Sequence, residues 1–121
     1  MTVSIRRFGT SPPVPESAVP ARVLGGTPST TTSNYYTSAD DRFFSGEWTS
    51  TPGKWAVVYD EDEFVLILAG RCTLTSAEGI AETFGTGDSF VIPRGFAGTW
   101  ETLEPLRKVY AIYAGVPASM A

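Results

Sequence analysis

A single acid, Glu63, heads an apolar run, Phe64-Val-Leu-Ile-Leu-Ala69, that stops at Gly70. A carboxylate held among apolar side chains is a candidate general acid or base, because loss of water disfavours its charged form unless a cation or several donors compensate. Competing chemistries are few. The 121 residues include no histidine, so histidine triads, Cys–His pairs and imidazole metal ligands are excluded together. Proton transfer falls to carboxylates, Tyr, Lys, Arg, Ser, Thr or the lone Cys72. Strand alternation turns the neighbouring Arg71 to the opposite face from Cys72, so the thiol reads as a small buried side chain and not as a nucleophile. One cysteine also excludes an intramolecular disulfide and fits a reducing compartment. Asp60, Glu61 and Asp62 offer oxygens to a hard cation, but such a run reads first as a solvated turn that keeps a strand end soluble.

The elements that must position Glu63 are short strands. Residues 35–37, 43–51, 55–59, 63–68, 71–76, 80–84, 89–92, 98–103 and 108–114 are rich in β-branched and aromatic side chains. Turn residues separate them: Pro52-Gly53, Gly70, Ala77-Glu-Gly79, Gly85-Thr-Gly-Asp88, Pro93-Arg-Gly95 and Glu104-Pro105. Helical spacing is nowhere sustained, and nine strands in one small domain imply an all-β sandwich or barrel. Period-two alternation puts Trp55, Val57 and Tyr59 on one face, and Glu63, Val65 and Ile67 on another. Phe64, Leu66 and Leu68, on the reverse side, are also apolar, which predicts a central strand covered on both faces. Lys108, Tyr110 and Ile112 share a face on the last strand, the more pocket-like of its two sides. Gly85-Thr-Gly-Asp88 reads as a tight hairpin connection, since it lacks the strand-to-helix setting of a phosphate loop.

Residues 1–34 differ in composition. They hold Ser11-Pro-Pro13, Pro15, Pro20, Gly25-Gly26, Pro28 and the run Ser29-Thr-Thr-Thr-Ser33, and they read as an extended N-terminal arm before a domain spanning residues 35–121. The apolar pieces Val3 to Phe8 and Ala21-Arg-Val-Leu24 are candidate edge strands or dimer contacts, so a homodimer is expected. Arg6-Arg7 is followed by Gly-Thr-Ser-Pro-Pro and not by the apolar segment of a twin-arginine export signal. No apolar run approaches the ~20 residues of a membrane span. A net charge of −4 disfavours partners held by phosphate contacts. The expectation is a cytoplasmic protein with a small-molecule partner, and with neither nucleic acid nor membrane.

Two half-motifs make the chain resemble the cupin superfamily. The first is an acid, six residues and a glycine, here Glu63 to Gly70; the second is Gly87-Asp-Ser-Phe-Val-Ile-Pro93-Arg-Gly95. Gly46-Glu-Trp48, Thr51-Pro-Gly-Lys-Trp55, Asp62-Glu-Phe64, Gly98-Thr-Trp100 and Leu103-Glu-Pro-Leu-Arg-Lys108 look most like the small single-domain cupins grouped with ureidoglycine aminohydrolase and the ethanolamine-utilisation cupin. The resemblance implies a jelly-roll β-barrel, the double-stranded β-helix, with an interior able to hold one small ligand. Metal-dependent cupins place two histidines before the acid and a third after the second motif. Those positions here are Val57, Tyr59 and Gly98, so Glu63 alone remains of four ligands and neither a metal nor another cofactor is expected.

The same resemblance places Glu63 inside the barrel, among Trp55, Tyr59, Val65 and Trp100, with Tyr36, Val57 and Tyr110 as further substrate-binding candidates. Glu63, Tyr59 and Lys108 are the catalytic candidates. Lys108 has three open roles: pairing with Glu63, polarising a carbonyl, or binding a substrate carboxylate. Lys54, Arg94 and Arg107 are alternative cations near the mouth, and Trp48 reads as core. The function expected is metal-independent acid/base chemistry of isomerase, lyase or cyclase type. The alternatives are a non-catalytic cupin that binds or senses a small polar metabolite, a metal-dependent aminohydrolase-like activity, and a structural role with a self-filled barrel.

Overall fold

A computed structural model describes residues 3–10 and 13–115. Among these there are nine strands and no helix: β1 (Glu16–Ala18), β2 (Val23–Gly26), β3 (Thr30–Thr37), β4 (Phe43–Ser50), β5 (Gly53–Val58), β6 (Asp62–Ser76), β7 (Ala81–Gly85), β8 (Ser89–Ile92) and β9 (Ala97–Tyr113). No described helix is long and apolar enough to cross a membrane.

The two long strands β6 and β9 pair antiparallel with each other, and the remaining strands build outward from them. Beside residues 106–113 of β9 lies β4, followed by β3 and β1; beside residues 97–102 lies β5, followed by β2. On the far edge of β6, β8 pairs with residues 63–66 and β7 with residues 71–75. All pairings are antiparallel, and the sheet curls into two facing halves, the jelly-roll barrel of a cupin. The halves meet through a core of Trp55, Val65, Ile67, Cys72, Leu74, Ile92, Trp100 and Leu106.

Three sequence expectations change here. The breaks placed at Gly70 and at Glu104-Pro105 are absent, and strand runs straight through both. Gly70 instead marks a bend: its φ is +88°, and a Cβ would collide with the carbonyl oxygen of Pro105 on the partner strand. Register shifts between Ile67 and Cys72 absorb the irregularity and let each long strand serve both halves. The Gly85–Asp88 turn does not join a hairpin, because β7 and β8 lie end to end along one edge of β6. The Asp88 carboxylate accepts from Gly85 N, and the turn is tied to β6 by Gly87 N donating to Ile67 O and Ile67 N to Asp88 O. Finally, the first half of β6 is central but covered on one face: Val65 is 0% exposed and Phe64 is 44% exposed.

Within the first 34 residues, β1 pairs with the start of β3, and β2 adds to the free edge of β5.

Candidate functional site

Alternation and register together assemble one concave wall. Phe44, Ile112 and Glu63 lie opposite one another across β4, β9 and β6; Gly46, Tyr110 and Val65 form the next row; Trp48, Lys108 and Ile67 form the third. Glu63 and Lys108 therefore face the same way, two rows apart, with Tyr110 and Val65 between. A lysine is long enough to cross that gap. Its Nζ donates to Glu63 Oε2 at 2.6 Å, with both side chains less than one-tenth exposed. Of the three roles open to Lys108, the structure shows the first.

The facing half supplies the other wall. Trp55 and Trp100 are register partners on β5 and β9, their rings stacked with centroids 6.3 Å apart. Trp48 packs its edge against Trp100 at 5.4 Å. The Lys108 ammonium sits 4.5 Å from the centroid of Trp48 and 4.8 Å from that of Trp100, over both rings. Burying a charge pair is costly unless its remaining donors are satisfied, and the two indole faces help meet that need. The Trp100 edge is fixed in turn. Ser50 Oγ donates to Thr51 O, so Thr102 Oγ1 donates to Ser50 and accepts from Trp100 Nε1, each at 2.8–2.9 Å. This chain of hydroxyls holds one indole, and through it the lysine.

Tyr59 is placed by the two motif turns. Its backbone N donates to Phe96 O and its carbonyl accepts from Gly95 N, while Asp62 Oδ1 accepts from Arg94 N. The acidic run thus anchors the Pro93-Arg-Gly95 turn beside the start of β6. Burial, the Glu63 charge and Cys72 raise the Tyr59 phenol well above its ordinary value, so it stays protonated and keeps an O–H to offer.

Between the walls lies a cavity of about 560 Å³, lined chiefly by Asn34, Trp48, Trp55, Tyr59, Glu63, Trp100, Lys108 and Tyr110, with Phe44, Val57 and Ile112 beside them. A volume of this size takes a small molecule. It brings together Glu63, Tyr59, Lys108, Trp55, Trp100, Tyr110 and Val57. It leaves out two candidates. Val65 belongs to the core beneath the wall. Tyr36 is turned outward by a bulge between Asn34 and Tyr36 that pairs it with Ser45, and its ring meets Phe43 and the Arg6 guanidinium instead. Asn34 and Trp48 are lining residues that the sequence reading missed: Asn34 lay outside the strand expected from residue 35, whereas β3 begins at Thr30, and Trp48 was assigned to the core. Two of the other cations are engaged elsewhere: Arg107 pairs with Glu47 and Arg94 donates to Ala114 O.

The metal site of metal-dependent cupins does not fit this chain. Its positions carry Val57, Tyr59 and Gly98, which offer no imidazole, thiolate or second carboxylate, and Glu63 already holds an ammonium. Among the described residues no three of His, Cys, Asp and Glu cluster as a metal-binding group.

A family model described as a EutQ-like cupin domain matches residues 37–110. The chain belongs to that family. No curated protein sequence matches this EutQ-like cupin at a significant level. Among solved structures, it superposes on the EutQ protein of Clostridium difficile with a TM-score of 0.64 at 16% identity, covering 74% of this chain and 71% of that one. A DUF861 family protein from Thermotoga maritima is 31% identical, with a TM-score of 0.52 over 53% of this chain and 73% of that one. The polyketide cyclase RemF from Streptomyces resistomycificus gives a TM-score of 0.66 at 20% identity over 95% and 82%.

The buried acids of this EutQ-like cupin predict its alkaline limit. Burial pushes the Cys72 thiol up from 9.0 to about 11, and burial, then Glu63 and Glu16, push the Tyr110 phenol up from 10.0 to about 12. Both groups hold their protons more tightly folded than unfolded, so their contribution to stability is whole below the unfolded values and declines as pH rises through the window from 9 to 12. Urea midpoints measured across that window are expected to fall, while native Cys72 resists thiol reagents at neutral pH. A midpoint that stays flat would contradict this.

Proposed function

We propose that this protein is a metal-independent small-molecule enzyme in which Glu63 is the general base. The observation that carries this reading is the buried Glu63–Lys108 pair on the wall of a ligand-sized cavity. Lys108 engages Oε2, and Oε1, which has no hydrogen-bond partner among the described residues, is left to the cavity that Glu63 lines, since no fully buried side-chain oxygen among those residues lacks a partner. A substrate with a carbonyl group would lie against the stacked Trp55 and Trp100 rings. Oε1 removes a proton from the carbon next to the carbonyl; the C–H pair becomes a carbon–carbon double bond, and the carbonyl oxygen becomes an enolate oxygen. The Tyr59 O–H, kept neutral by burial and by Glu63, donates a hydrogen bond to that oxygen. Return of the proton to a different carbon gives an isomer, and attack of the enolate on a second carbonyl gives a ring. Lys108 keeps its contacts throughout, and its role is to hold the carboxylate in place. That a polyketide cyclase shares the fold is an analogy in keeping with this reading.

The test uses β-tetralone, whose ring system suits the indole wall and whose α-hydrogens are acidic. The protein is expected to accelerate deuterium uptake at the α-carbon in deuterated water, and to do so equally after exhaustive chelation. Binding of β-tetralone with no acceleration of exchange would replace the enzyme reading with that of a binding module.

A further inference from the structure

Asn34 has a single allowed orientation. One end of its amide faces the carbonyl oxygen of Tyr36 at 3.3 Å and Thr37 Oγ1 at 2.9 Å. A carbonyl oxygen only accepts, so that end is the NH2 group and the opposite end is Oδ1. Oδ1 accepts from the Tyr110 hydroxyl at 2.7 Å. The Tyr110 proton is therefore committed to the protein. Gly46, the register partner of Tyr110 on β4, makes the arrangement possible: any Cβ there would clash with the Tyr110 hydroxyl and with Ser33 O. A phenol whose proton is spent offers only lone pairs, and both Asn34 and Tyr110 line the cavity. Tyr59 presents the complementary group, a phenol at the cavity whose O–H has no hydrogen-bond partner among the described residues and which burial keeps protonated.

We infer that the cavity selects flat hydroxylated carbonyl compounds, with a ligand hydroxyl donating to Tyr110 Oη and the ligand carbonyl accepting from Tyr59. Asn34 is the positioning residue that sets the polarity of the Tyr110 end. The assignment rests on the cavity being the substrate site but not on Glu63 being the base, and it is read by binding alone. Lys108 cannot supply the same selectivity, since its ammonium is held by Glu63 and two indole rings.

The experiment titrates the full chain with umbelliferone, its methyl ether and unsubstituted coumarin, in a mildly acidic buffer that keeps the phenol neutral, following tryptophan quenching. Umbelliferone is expected to bind roughly three- to tenfold more tightly than either analogue, the size of one hydrogen bond. Tyr110→Phe should abolish the preference. Asn34→Ala frees the Tyr110 proton to serve a methoxy oxygen and should bring umbelliferone and its ether together, whereas Asn34→Asp, which still accepts from Tyr110, should keep them apart. Equal binding of the three coumarins to the wild type, no binding of any, or a preference that survives Tyr110→Phe would overturn the assignment. Loss of exchange activity with the preference intact would instead strike the Glu63 reading.

Discussion

Lys108→Met is expected to lower the stability of the fold by about 3–5 kcal/mol, because it leaves the Glu63 carboxylate buried with no cation. The side chain that replaces the lysine is unbranched and only one atom shorter, and would still pack between Trp48 and Trp100, so packing loss contributes little. What is lost is the 2.6 Å contact to Oε2 and the ammonium over two ring faces. The double variant Glu63→Gln with Lys108→Met should recover most of the loss, since replacing both charges of a buried pair is commonly close to neutral. Urea unfolding of the wild type, both single variants and the double variant closes the thermodynamic cycle. Additive losses would show that the two groups do not depend on each other.

The second large effect falls on rate. Glu63→Gln keeps the shape of the wall and retains an oxygen for Lys108, but an amide cannot take a proton from carbon. General-base catalysis contributes about 10²–10⁴-fold, and a loss of that order in β-tetralone exchange is expected, with binding changed only a few-fold. A variant that lost binding and rate together would point to a structural role for the carboxylate. Measuring both quantities on one sample separates the two cases.

Most of the fold was legible because two signals repeat along the chain. Alternation grouped Trp55 with Tyr59, Glu63 with Val65, and Lys108 with Tyr110. The cupin resemblance turned Glu63 and Trp55 inward, and the second half-motif marked the Pro93-Arg-Gly95 turn; which face of the last strand points inward needed the register. What escaped the sequence depends on irregular backbone. A glycine and a proline look like strand ends, yet Gly70 and Pro105 face each other across a bend within continuous strands. One bulge residue reverses the parity of β3 beyond Asn34, sending Tyr36 out. Apolar residues on both sides of a strand predicted two covered faces, but the pairing that makes β6 central does nothing to cover Phe64. Trp48 was read as core because a tryptophan fills space before it binds anything; only its contact with the Lys108 ammonium reveals a site role. The choice of Lys108 among four nearby cations likewise needed register, which puts it two rows from Glu63 and puts Arg107 on the opposite face, against Glu47.

The central claim is that a carboxylate partnered by lysine, and not by a metal, does the work of this cupin. Its most direct test is nuclear magnetic resonance of deuterium incorporation into β-tetralone by chelator-treated wild type and Glu63→Gln, side by side. The account predicts catalysed exchange in the treated wild type and exchange at the uncatalysed rate in the variant. Equal exchange in the two proteins, or wild-type exchange that vanishes on chelation and returns with added divalent metal, would contradict it.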